Sequence, residues 1–122
     1  MKFYYNDQLV RTSKNNHYTH AVIVTGVERK NPVISCNSSF ELAQKYIRST
    51  ISGINESIEN SIAIIKAIES GKKEVVVTAG RKSMNRKVKA SELDEFKEYL
   101  SELNANVDFI NSHWKIVELE ER

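Results

Sequence analysis

The sequence predicts an α+β fold: an N-terminal antiparallel β-sheet, two long amphipathic helices and a C-terminal strand, all in a single domain spanning residues 1–122. Three observations carry this reading. Short β-branched and aromatic runs separated by Asn, Asp and Pro fill the first third of the chain. Two apolar stripes with alternating spacings of three and four follow. The chain then closes on an alternating segment, HWKIVEL.

Lys2–Tyr5 and Gln8–Ser13 flank Asn6-Asp7, two residues that tolerate the left-handed backbone of a tight hairpin turn. Asn15-Asn16 marks a second turn. His17–Gly26 (HYTHAVIVTG) is the densest strand signal in the chain. Asn31-Pro32 turns the chain into Val33–Cys36. Short turns between successive strands imply an antiparallel meander.

The first helix opens at Ser38, with Glu41 three residues on as its capping-box partner. Its stripe runs Phe40, Ala43, Ile47, Ile51, Ile54, Ile58, Ile62, Ile65 and Ile68, and Gly71 supplies the stop. A helix of about 33 residues is about 50 Å long, whereas a domain of this size has a radius of gyration of about 14 Å. Either the helix bends at Ser52-Gly53 or it projects and packs on a partner, which favours a homo-oligomer. Glu74–Thr78 reads as a buried strand and Ala79–Lys89 as a loop. Ser91 and Asp94 form a second capping box ahead of the stripe Leu93, Phe96, Leu100, Leu103, Val107 and Ile110. His113–Leu119 is the last strand, followed by a solvated acidic tail at Glu118, Glu120 and Glu121.

Apolar residues make up 40% and charged residues 28% of the chain, as in ordinary globular proteins. Cys36 stands alone, which excludes an intrachain disulfide and a cysteine-based zinc cluster and fits a reducing compartment. The N-terminal residues lack a signal-like apolar run, and no stretch of about 18 apolar residues occurs. The expected location is the cytoplasm, away from any membrane.

The net charge is +2, yet Lys72–Lys89 holds seven Lys and Arg against one Glu, so the other 104 residues sum to −4. A cation cluster beside a glycine suits a phosphate-bearing partner. Between a strand and a helix, Gly80 lets backbone N–H groups approach an anion. Arg81 and Arg86 offer forked donors, Lys82 adds charge, and Ser83 and Asn85 can donate to phosphate or ribose oxygens. Neither GxxxxGK[ST] nor GxGxxG is present. The alternative is a solvated basic hairpin that balances the acidic segment Ser91–Glu121, with its nine acids and two bases. On a strand, Tyr18 and His20 share one face and could stack on a base or bond its edge; ordinary half-exposed residues are the alternative. No metal site is expected, because the histidines lack carboxylate or cysteine partners at suitable spacing. No cofactor is expected either. Ser38, Ser39 and Cys36 show no nucleophile elbow, and the acids of the second helix lie on its outer face. No catalytic residue is assigned, so binding is favoured over chemistry.

The segment MKFYYNDQLVRTSKNNHYTHAVIV, followed by PVISCNSSFELAQKYI and a very long helix, resembles the Thoeris anti-defence sponge family of phage proteins. That resemblance implies an oligomer with ligand pockets near subunit interfaces, acting in the cytoplasm of an infected bacterial host. It implies binding of glycocyclic ADP-ribose, a small cyclic nucleotide immune signal made by TIR-domain enzymes, with cyclic oligonucleotides held by some members at separate sites. The signal is sequestered without cleavage, so the downstream effector stays off. Two other classes remain open: a nucleic-acid-binding accessory protein, disfavoured for long nucleic acid by the modest charge, and a protein inhibitor of a host enzyme whose acidic helix mimics phosphate.

Overall fold

A computed structural model describes all 122 residues. The chain is mixed α+β, with eight strands and two long helices. In order these are β1 (Lys2–Tyr5), β2 (Gln8–Thr12), β3 (His20–Val24), β4 (Val33–Asn37), α1 (Phe40–Glu69), β5 (Glu74–Ala79), β6 (Lys82–Lys87), α2 (Leu93–His113), β7 (Trp114–Glu118) and β8 (Glu120–Glu121). They group into two compact units, Met1–Thr50 with Phe109–Arg122, and Ile51–Asp108.

In the first unit the N-terminal strands are antiparallel, but they do not form one meander. They divide between two three-stranded sheets, ordered β2-β1-β8 and β4-β3-β7. The β1–β2 turn is the one the sequence signals. Asn6 and Asp7 both have positive φ, 50° and 61°, and Tyr5 pairs with Gln8, which is the type I′ pattern that matches strand twist. The tail departs from expectation, since Glu120 and Glu121 pair with Tyr4 and Phe3 and so add an edge strand. Their side chains stay exposed, but their backbone is bonded. The strand expected from His17 begins at His20, and its inner residues Ala21, Val22, Ile23 and Val24 are buried. Ala21, Ile23 and Val117 form a core that Tyr5, Val33, Cys36 and Leu119 complete. Phe3 is fully buried, with its ring edge-on to Tyr18 at 5.3 Å.

The start of α1 also differs from the sequence reading. Ser39, not Ser38, accepts the Leu42 N–H at 3.1 Å, so the helix begins one residue later and Glu41 does not complete a capping box.

In the second unit α1 continues unbroken through Ser52-Gly53. Lys72 N–H bonds Ala67 O and Gly71 N–H bonds Ile68 O, the paired bonds of a Schellman stop. The buried face overlaps the expected stripe and is wider on one side. Ile65 is buried as expected and Ile68 packs on the core, but Ser61, Ile64 and Ala67 are buried too, while Ile62 is exposed. Ile64, Ala67 and Val88 form the core here, packed by Ile68, Val75, Val77 and Phe96. A 3₁₀ turn over Ala90–Glu92 precedes α2. Glu92 Oε1 accepts the Lys89 N–H at 3.0 Å, taking the capping place expected of Ser91 and Asp94. No helix is long and apolar enough to cross a membrane.

Candidate functional site

The expected residues fall in different units. Arg81, Lys82, Ser83, Asn85 and Arg86 lie in the second, Tyr18 and His20 in the first.

The segment expected as a strand-to-helix loop is a β-hairpin. Glu74–Ala79 and Lys82–Lys87 pair residue for residue from Glu74↔Lys87 to Ala79↔Lys82, leaving Gly80-Arg81 as the two-residue turn. Gly80 has φ +63°, which an L side chain adopts only with strain, and Arg81 does not share the positive φ. A left-handed residue in the first central position alone is the type II′ pattern. Lys82–Lys87 has little β propensity of its own; it becomes a strand because β5 (EVVVTA) offers it a ladder and packs Val75 and Val77 into the core.

Some of the hairpin's donors are consumed within the chain. The Gly80 N–H, expected to meet a ligand anion, donates to Glu56 Oε1 at 2.9 Å. One turn along α1, Asn60 pairs with Thr78 as a strand would: Thr78 N–H donates to Oδ1 at 3.0 Å and Nδ2 donates to Thr78 O at 2.6 Å. Four residues of helix rise about 6 Å and two residues of strand about 6.6 Å, so the spacings match. Arg86 donates to Glu92 Oε2 at 2.8 Å and lies over the Phe96 ring at 4.9 Å. Those contacts turn Arg86 into a fastening between β6 and the start of α2. The Arg86 guanidinium, aided by the Lys89 N–H, holds the Glu92 carboxyl below the usual glutamate range. Arg81, Lys82, Ser83 and Asn85 remain exposed.

His20 and Tyr18 are also partnered. His20 Nδ1 lies 2.7 Å from Thr19 Oγ1, and its ring is edge-on to Phe40 at 5.6 Å. Tyr18 receives a hydrogen bond from Asn16 Nδ2 at its hydroxyl and carries the Arg11 guanidinium 5.4 Å from its ring centre. Only Tyr18 of the two lines the first unit's open groove of about 700 Å³.

That groove runs between the 15–18 segment, the end of β4 and the first turns of α1. Lys45, Ser38, Ser49 and Asn15 face it without a side-chain hydrogen bond inside the chain. Tyr46 lines it too, stacked on Trp114 with ring centres 6.2 Å apart and planes at 19°. Cys36 is a further wall; burial pushes its thiol up and Arg11 partly opposes this, so it stays protonated at neutral pH and is a poor nucleophile. Lys45, Tyr46 and Asn15 were not among the residues that sequence reasoning selected. Their only signal was position: Lys45-Tyr46 follows the helix start by one and a half turns, and nothing local marks that as a wall. An ammonium, two phenol rings and several amide and hydroxyl groups can together receive an anion, a flat ring and sugar hydroxyls. No group of three or more His, Cys, Asp or Glu side chains is placed to hold a metal.

No protein-family model, curated protein sequence or solved structure matches this chain.

Proposed function

We propose that this protein binds a small cyclic nucleotide signal of the glycocyclic ADP-ribose type and holds it without cleaving it. The bound pool is then lost to the signal's effector, as in the sponge family that the N-terminal wording resembles. The groove between Tyr18 and Lys45 is the binding surface. The observation that carries the reading is the set of side chains that face this groove with no partner inside the chain, Lys45 above all. In this assignment Lys45 pairs a phosphate, a base extends the Tyr46–Trp114 stack, and Asn15 and Ser49 meet ribose hydroxyls. The Cys36 thiol, the one nucleophile of high intrinsic reactivity in the wall, is held protonated, which is consistent with storage rather than turnover. In the same reading the protein acts as an anti-defence factor in the cytoplasm of an infected bacterium. The partly exposed apolar faces of both helices, with Phe40, Leu42, Ile62 and Tyr99 open to solvent, support a homo-oligomer.

Titration calorimetry with glycocyclic ADP-ribose tests the reading. Expected are saturable binding by the native chain, release of ligand of unchanged mass on heating, and affinity weakened roughly tenfold to hundredfold in Lys45→Ala. Absence of binding, or recovery of a hydrolysed product, overturns it.

A further inference from the structure

The second unit carries two surfaces that complement one another. On the hairpin, Arg81, Lys82 and Lys87 are exposed and make no ion pair within the chain. Val76 and Met84 beside them are 58% and 53% exposed. The sheet has only two strands, so the outer edge of β6 pairs with no further strand. On α2, Glu95, Glu98 and Glu102 are spaced by three and four residues and so share a face with like charge. Together with Phe96 and Tyr99 they line a groove of about 420 Å³, and none of the three meets a cation of the chain.

The chain itself shows how the 3₁₀ turn and the first turn of this helix together receive a guanidinium. Glu92 and Phe96, four residues apart, hold Arg86: carboxylate at 2.8 Å, ring centre at 4.9 Å. Glu95 and Tyr99 repeat that pair with the same spacing, one turn further on. Tyr99 is 43% exposed, and no cation of the chain lies over it.

We propose that this second place is filled by Arg81 from the hairpin tip of another copy of the chain, with Lys82 beside Glu98 or Glu102. The pairing joins a cationic tip to an acidic, aromatic groove, so each copy offers both halves. Two copies can satisfy both contacts at once about a two-fold axis. The proposal does not depend on what the groove in the first unit binds.

Charge exchange tests it by sedimentation velocity over a range of protein concentrations. The native chain is expected to self-associate, and more weakly as salt is raised. R81E/K82E and E95K/E98K should each weaken self-association by about tenfold or more, since like charges then face one another. Mixing the two variants should restore association, because the acidic tip of one now meets the basic groove of the other. Recovery in the mixture also establishes that both variants fold. A native chain that stays monomeric, single variants that associate like the native chain, or a mixture that stays apart overturns the proposal. So does binding of a mixed-sequence DNA oligonucleotide that R81E/K82E abolishes while self-association of the native chain is left unchanged.

Discussion

The hairpin and the groove make an instructive pair. Both present cations, amides and hydroxyls of the kind that phosphates and riboses attract, and the hairpin has far more positive charge. Yet several of its donors already serve the chain, Gly80 N–H being bound to Glu56, Thr78 to Asn60 and Arg86 to Glu92, and the unpaired Arg81, Lys82 and Lys87 stand exposed on the hairpin. The groove has one lysine, and that lysine has no partner. Charge density marks where an anion is attracted; uncommitted donors of several kinds lining one groove mark where it can be held. A donor that must leave an internal acceptor before meeting a ligand forfeits that bond, and the net gain shrinks accordingly.

The largest effects should come from the cores beneath each region. Phe3, fully buried against Tyr18, supports the groove's wall, and Phe3→Ala should cost about 3–5 kcal/mol in urea unfolding. Ile64 lies under the hairpin, and Ile64→Ala should cost about 2–5 kcal/mol in the same assay. If the regions differ as described, nucleotide affinity measured where both variants remain folded should fall in Phe3→Ala and hold in Ile64→Ala.

Next in size is the direct contrast between donors. Lys45→Ala should remove about 1.5–3 kcal/mol of binding free energy, a roughly tenfold to hundredfold loss of affinity in calorimetry. Arg81→Ala, in the hairpin, should leave affinity within about twofold on the same scale. Equal losses in both variants would erase the distinction.

Acid should act on the hairpin's side. The Glu92 carboxyl is held low by Arg86, so its folded-state value lies beneath its unfolded one. Its stabilising contribution is complete above the ordinary glutamate range and fades as pH falls through the lowered folded value. Melting curves of the native chain and Glu92→Gln should therefore differ at neutral pH and converge in acid. A gap that persists at low pH would mean that charge is not what Glu92 contributes.

The smallest effect concerns the groove's thiol. Cys36 is held up by burial, so its alkylation at neutral pH should be slower than that of free cysteine, and a ligand in the groove should slow it further. Unchanged labelling in the presence of saturating nucleotide would place the ligand elsewhere.

Much of the fold was legible because local chemistry and tertiary outcome agree. Asn6-Asp7 adopts the turn its residues favour, Gly71 ends α1, and the β3 run becomes a central strand. What could not be read rests on partners distant in sequence. Residues 82–87 form a strand only because β5 pairs with them, and Glu120-Glu121 only because β1 has a free side. Two residues are too few to show any period. The fate of the candidate site was hidden for the same reason. Arg86 looks like a phosphate ligand until Glu92 and Phe96 are seen beside it, and Lys45 looks like one more exposed helical lysine until the 15–18 segment lies across from it.

The match between one helical turn at Glu56–Asn60 and the alternate hairpin residues Thr78 and Gly80 bears on how the second unit opens. Backbone amides that bond across to β6 should exchange with solvent when the hairpin separates. Those of Thr78 and Gly80 are closed by side chains of α1 instead, so their exchange should follow the loosening of that single turn. Asn60→Ala should therefore speed deuterium uptake at Thr78 while leaving cross-strand amides slow. In that sense two amides of the hairpin serve as built-in gauges of the helix beside them.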